Sequence, residues 1–153
     1  QFLCSDYSTN VYLKDIQNQV PFDAVVSGFS IHHQPDQRKK EVYEEVYNLL
    51  KPNGFFINIE HVKSPTTWVE SLWHDAFISG LEEFESKKEN GKMRDQIEYD
   101  FFHDPSWIEE RQANILTSVE EQCRWLRKIG FINVDCFLKI YELAVFGGQK
   151  KET

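Results

Sequence analysis

The stretch that most constrains this chain runs from Phe22 to Glu60. Phe22-Asp23-Ala24-Val25-Val26-Ser27-Gly28 is a β-branched run bounded by Pro21 and Gly28, the composition of a strand buried on both faces. From Asp36 the period changes. Val42, Val46, Leu49 and Leu50 make an apolar helical stripe opposite Arg38, Lys40, Glu41 and Glu45. Lys51-Pro52-Asn53-Gly54 then terminates the helix with a cation, a breaker and a residue tolerant of positive φ. Phe55 to Glu60 is the next strand. Strand, helix and strand joined by short loops make a βαβ unit, whose strands must be parallel and whose crossover is right-handed.

The flanking sequence extends this α/β pattern. Gln1 to Ser5 is a short apolar run ending at Asp6 and reads as an earlier strand. After Pro65 a second helical stripe runs through Trp68, Leu72, Trp73, Ala76, Phe77, Leu81 and Phe84. Ser86 to Asp95 is charged and contains Asn90-Gly91, the signature of a mobile turn or a frayed helix end. Asp104-Pro105 offers an N-cap followed by proline in the first turn, and Ser118-Val119-Glu120-Glu121 matches a capping box. The helix after Ser118 ends at Gly130, and Phe131 to Leu138 with Leu143 to Phe146 read as a terminal antiparallel hairpin. The expectation is one domain over residues 1–153, with 65–104 a helical insertion.

Charge and cysteine usage narrow the function classes. The formal net charge is −8 over 153 residues, which repels phosphate backbones and anionic membranes. The clustered cations, Arg38-Lys39-Lys40 and Lys87-Lys88, are flanked by glutamates and read as solvated helix faces, so neither a nucleic acid nor a membrane is expected as a partner. Cys4, Cys123 and Cys136 have no CxxC or zinc-like spacing, which indicates no disulfide framework and no structural metal and fits a reducing, cytoplasmic setting. No apolar run approaches a membrane span. The chain opens at Gln1 rather than Met, which motivates the expectation that a segment upstream was removed.

Four pieces in this order resemble the second half of a class I S-adenosylmethionine (SAM)-dependent methyltransferase. Phe22 to Ser27 followed by Ile31-His32-His33 looks like that family's fourth strand and active-site loop. Asn48-Leu49-Leu50-Lys51-Pro52-Asn53-Gly54-Phe55-Phe56-Ile57 resembles the LLKPGG turn into its fifth strand. Leu126 to Phe131 resembles the L-x-x-x-G-F segment before the terminal hairpin, and Glu142 to Gly148 its last strand. The resemblance covers nearly the whole chain. It implies a partial Rossmann-like sheet, mostly parallel with a C-terminal antiparallel hairpin, with helices on both faces and the 65–104 insertion as a lid.

The resemblance also implies roles for residues. Ligands of open α/β sheets bind outside the carboxyl ends of the strands. Asp6 and Tyr7 fall at the adenine-contacting position, and Ser27, Gly28, Phe29 and His32 lie along the ribose and methionine portion of SAM. The residues alone leave a plainer alternative open: Asp6 caps the following turn, and Ser27 and Gly28 merely end a strand. His33 and His61 are the candidates for catalytic proton transfer, which a near-neutral imidazole suits, against the alternative of loop histidines that only form hydrogen bonds. Trp68, Trp73, His74 and Phe77 are the candidates for a small-molecule substrate wall, against the alternative that this aromatic stripe is core or a dimer contact. Adjacent His32 and His33 point in different directions and have no second ligand cluster, so no metal is expected.

Two family features are missing from this sequence: the glycine-rich loop after the first strand and the acidic residue that grips the ribose hydroxyls. The expected function is therefore SAM-dependent methyl transfer to a small molecule, with this chain as the C-terminal part of the enzyme and weak or absent SAM binding of its own. The alternative is a non-catalytic remnant or partner subunit acting in binding or dimerisation. A strand edge without its neighbour also predicts either cover by the N-terminal strand or a homodimer through that edge or the lid.

Overall fold

The computed structural model describes residues 2–152. It divides into two compact units, one formed by the residues up to Lys63 together with those from Ile115 on, the other by Ser64–Asn114.

The first unit is α/β. A short helix α1 (Leu13–Ile16) precedes β1 (Phe22–Gly28), α2 (Asp36–Leu49) and β2 (Leu50–His61). After the second unit, α6 (Val119–Ile129) leads into the hairpin β3 (Phe131–Ile140) and β4 (Leu143–Lys150). The sheet order is β1-β2-β4-β3. β1 and β2 are parallel, as a βαβ unit requires, while β2–β4 and β4–β3 are antiparallel. The sheet is thus mixed, with its parallel character confined to the β1–β2 pair.

Residues paired across the ladder share a face. Val25, Phe56 and Gly148 lie on one face, together with Asn58, Phe146 and Cys136. Helices α2 and α6 both pack there: Tyr43 of α2 sits 5.5 Å from Phe56, ring to ring, and its hydroxyl meets Gln122 of α6. The expectation of helices on both faces is corrected for this unit. The opposite face carries Val26, Phe55, Ile59 and Leu138, all exposed. β1 is an edge strand with Val26 64% exposed, not a strand buried on both faces. The β-branched composition marks a strand, but its burial depends on neighbours that composition does not report.

Three local readings change. Residues 2–7 form no strand, and Gln1 lies outside the described residues. The Lys51-Pro52-Asn53-Gly54 turn is absorbed into β2 as an irregularity, where the pairing slips from Phe22↔Leu50 to Ala24↔Phe55. Asn53 takes φ 64°, and a Cβ on Gly54 would meet three backbone carbonyl oxygens, those of Lys51, Asp23 and Phe22, at 2.9–3.2 Å. Only a residue without a Cβ passes there. At α6, Ser118 Oγ accepts from Glu121 N (3.2 Å), the first half of a capping box. The Glu121 carboxylate instead accepts from Trp125 Nε1 (2.6 Å).

The Arg38-Lys39-Lys40 run is not a solvated face. Arg38 and Lys39 are buried. Arg38 is held by Glu45 (2.7 and 2.9 Å) and Glu41 (3.2 Å), and its Nε donates to the Tyr7 carbonyl (3.0 Å). Lys39 donates to Asp36 (2.9 Å), Thr117 Oγ1 (3.0 Å) and the Ile115 carbonyl. Each cation is compensated by carboxylates of α2 itself and by oxygens of Tyr7, Ile115 or Thr117 from other segments, the condition for burying charge.

The second unit is helical: α3 (Thr67–Glu85), α4 (Arg94–His103) and α5 (Pro105–Ala113). Thr66 caps α3 by accepting from Val69 N (3.2 Å), and Asp104 caps α5 by accepting from Ser106 N (2.8 Å). Phe77 meets Trp73, Phe101 and Trp107, and Phe101 meets Trp107, as tilted or edge-on rings at 5.7–5.8 Å between centroids. Arg111 lies over the Phe101 ring at 4.3 Å. These rings form a half-buried aromatic cluster, while Ile78 and Ile97 are the unit's buried apolar residues.

Candidate functional site

The carboxyl ends of β1 and β2 lie side by side because the strands are parallel and in register to Gly28↔Ile59. The chain leaves β1 through Phe29, whose amide donates to the Ile59 carbonyl (2.8 Å) and whose φ is 47°. A left-handed phenylalanine is strained backbone, the kind that persists where surrounding structure fixes it and that gathers at functional sites. Ile31–His33 then form a single 3-10 turn.

That turn delivers His32 into the protein beside Glu60, the last inward-facing residue of β2. His32 is 6% exposed and Glu60 fully buried. His32 Nδ1 lies 2.5 Å from Glu60 Oε1. The carboxylate also accepts from the backbone amides of His32 (3.1 Å) and His61 (3.1 Å) and from Asn58 Nδ2 (3.4 Å). Three other N–H groups aim at these two oxygens, and with Glu60 as an ionised carboxylate it is His32 Nδ1 that carries the proton in the 2.5 Å bond. Nε2 is then the basic nitrogen of the ring. This carboxylate-fixed imidazole is the arrangement a general base needs.

The other two histidines stand close. The His33 ring centroid is 3.9 Å from that of His32, and the His61 ring meets His32 edge-on at 5.7 Å. His61 Nε2 lies 2.8 Å from Glu142 Oε2. Three imidazoles and two buried carboxylates thus gather at one strand end. Among the described residues no group of three or more His, Cys, Asp or Glu is placed to hold a metal ion.

The N-terminal segment reaches the same loop. The Tyr7 hydroxyl is 2.5 Å from Ser30 Oγ and donates to the Ser30 carbonyl (2.7 Å), which ties position 7 to the loop after β1. Asp6 is exposed, and its carboxylate accepts from Ser8 N and Ser8 Oγ, both at 2.8 Å. The Ser8 backbone amide, then its hydroxyl, hold the Asp6 carboxyl below the ordinary range. In this structure Asp6 performs the turn-capping role named as the plainer alternative. Ser27 is half-buried on the helix-covered face opposite Asn58, whereas Gly28 is exposed on the other, with nothing within 4 Å of a Cβ placed there.

The residues at 68–77 belong to the helical unit. Trp68 is 69% exposed. Trp73, His74 and Phe77 are half-buried in the ring cluster, His74 packing at 5.0 Å on Phe101 and 5.3 Å on Phe102. Three of the four substrate candidates therefore have a packing role.

Sequence reading missed Glu60 as a partner of His32, Glu142 as a partner of His61, and Asn58. A signal was there. Phe56, Asn58 and Glu60 share one parity of β2, and a polar residue at the buried parity of a strand must have a partner.

The comparisons agree with this architecture. Residues 3–58 match the family model described as a methyltransferase domain. No curated protein matches the chain. Among solved structures, an O-methyltransferase family protein from Burkholderia thailandensis is similar with a TM-score of 0.58 at 12% identity, over 99% of this chain and 36% of that one. The CurJ carbon methyltransferase gives 0.52 at 17% identity, over 97% and 34%. Human N-acetylserotonin methyltransferase, solved with SAM, gives 0.51 at 13% identity, over 100% and 34%. The chain spans about a third of the length of these structures. Strand order, the LLKPNG irregularity, the terminal hairpin and these likenesses converge, and the chain has the class I SAM-dependent methyltransferase fold.

Proposed function

We propose that this chain provides the acceptor side of a SAM-dependent methyl transfer to a small molecule and acts as the C-terminal part of the enzyme. The observation that carries the reading is the buried Glu60–His32 pair at the carboxyl end of the parallel strands, where ligands of open α/β sheets bind. SAM supplies an electrophilic methyl group on a sulfonium. What remains for the protein is to align the acceptor, exclude water and remove the acceptor's proton.

The residues present suit one side of SAM. Tyr7 and Ser27 to His32 line the strand end, and the open space at Gly28 leaves room for close backbone approach. The sequence holds no glycine-rich loop for the carboxypropyl group, so the chain's own affinity is weak. His32, fixed by Glu60, takes the acceptor's proton, and His33 and His61 orient the acceptor. Net charge −8 favours a small molecule over a nucleic acid.

Weak binding is read best by nuclear magnetic resonance. Titration of the labelled chain with millimolar S-adenosylhomocysteine is expected to shift amides of residues 6–8 and 27–33 and to leave β3 unmoved. Absence of shifts in those two segments, or shifts scattered over the whole sheet, would refute the assignment. A calorimetric dissociation constant in the low-micromolar range would refute the claim of weak binding.

A further inference from the structure

We propose that Asn58 is a positioning residue which, together with Tyr43, orients Glu60 so that His32 holds its proton on Nδ1 and keeps Nε2 free to act as a base. The inference rests on the reading of His32 as the proton-accepting group and extends it one layer inward.

Asn58 is fully buried between Phe56 and Glu60 on the inward parity of β2. An isoleucine or valine would pack there at no cost in desolvation, so a buried amide needs a purpose. Its surroundings form a chain of hydrogen bonds whose direction is set at the far end. Gln122 Nε2 donates to the Thr117 carbonyl (3.1 Å), which fixes the orientation of that amide. Gln122 Oε1 must then accept, and the Tyr43 hydroxyl donates to it at 2.5 Å. With its one proton committed, the Tyr43 oxygen can only accept, and Asn58 Nδ2 donates to it at 3.3 Å.

The same Nδ2 donates to Glu60 Oε2 at 3.4 Å. Rotating the amide by half a turn would press Asn58 Oδ1 against a carboxylate oxygen and lose both bonds. The amide orientation set by Gln122 and Tyr43 therefore reaches Glu60 Oε2 as a donated N–H, which a carboxylate oxygen accepts. An ionised Glu60 accepts from His32 Nδ1 and so selects the tautomer. Burial, then the nearby Glu60 charge, hold the Tyr43 pKa well above its ordinary value, so this donor stays protonated through the range in which histidine titrates. Asn58 Oδ1 is buried with no hydrogen-bond partner. Such a group is retained where the rest of the side chain has a task.

The test is histidine tautomer assignment by nitrogen-detected magnetic resonance on the full chain above the titration range of His32. Wild type is expected to show His32 as a single Nδ1–H form. In Asn58→Leu the His32 tautomer ratio is expected to move about tenfold or more toward Nε2–H, the scale of one hydrogen bond to a charged group, with amides of β3 and α5 unshifted. A folded Asn58→Leu protein whose His32 stays Nδ1–H overturns the proposal. If Asn58→Leu does not fold, Tyr43→Phe decides. It keeps the ring against Phe56 and removes only the orienting oxygen, and is expected to move the ratio the same way; no movement overturns the proposal. A wild-type Nε2–H form overturns both this proposal and the assignment of His32 as base. Failure of S-adenosylhomocysteine to bind, with the tautomers behaving as stated, strikes the functional reading alone.

Discussion

Replacing Lys39 by methionine isolates what a fully buried cation contributes to this fold. The side chain is 0% exposed and its Nζ meets three oxygens: Asp36 Oδ1 at 2.9 Å, Thr117 Oγ1 at 3.0 Å and the Ile115 carbonyl. Methionine has nearly the same length, so no large cavity opens. Asp36 loses least, because its side chain is half exposed and keeps the Thr117 hydroxyl at 2.5 Å. The Ile115 carbonyl loses its ammonium donor. Each charge-assisted bond is worth about 1.5–3 kcal/mol, offset in part because an ammonium no longer has to be buried. The net expectation is a loss of about 3 kcal/mol. At about 2–4 °C per kcal/mol this lowers Tm by about 6–12 °C, and at a urea slope of about 2 kcal/mol/M it lowers the midpoint by about 1.5 M.

Hydrogen exchange at the amides of β2 and β4 reads this loss in the sheet unit itself, separately from the helical unit. Ile115 N donates to the His32 carbonyl at 3.0 Å, so exchange at Ile115 should rise with it. The segment that Lys39 pins is also the one that supports the candidate base. A Lys39→Met protein as stable as wild type would show that desolvation cancels all three bonds and would refute this accounting.

Three further outcomes are expected. Gly54→Ala forces a Cβ to within 2.9–3.2 Å of three backbone carbonyl oxygens and is expected to cost about 2 kcal/mol by thermal unfolding; a neutral result would mean the β2 irregularity is pliable. Phe77→Ala removes a half-buried ring that touches Trp73, Phe101 and Trp107 and is expected to cost about 2 kcal/mol; unchanged far-ultraviolet dichroism and melting would restore the aromatic stripe as a ligand wall instead of a packing cluster. The bare sheet face and the open edge of β1, with Val26 64% and Leu138 54% exposed, predict concentration-dependent self-association by light scattering; a monodisperse monomer at millimolar concentration would count against it.

The fold was legible where one segment reports its own environment. The period of Val42 and Val46 marks the inner side of α2, and both are buried. Asp104-Pro105 marks the start of α5, and the Asp104 side chain accepts from Ser106 N. Gly130 ends α6 with φ 120°. Each of these is decided within a few residues. The burial of β1 is decided by what lies beside it, and the same residues would be core in a wider sheet. The burial of Lys39 is hidden in the sequence for a related reason: a lysine beside glutamates looks solvated until Thr117 and Ile115, nearly eighty residues away, are known to converge on it.

The site divides along the same line. The histidines were visible because imidazole is rare and its chemistry is carried by a single residue. Glu60 and Asn58 were not, because a carboxylate becomes a partner for His32 only when parallel pairing sets the ends of β1 and β2 side by side. The structure adds His32 to the candidates for proton transfer. From sequence, His33 and His61 were the candidates for proton transfer and His32 lay along the cofactor. In the structure His32 is the one held by a fully buried carboxylate that accepts four N–H donors. A base is made by what fixes its tautomer as much as by the imidazole itself. If that reasoning holds, Glu60→Gln should lower proton transfer through His32 more than His33→Asn does, since glutamine offers one acceptor oxygen where four donors converge.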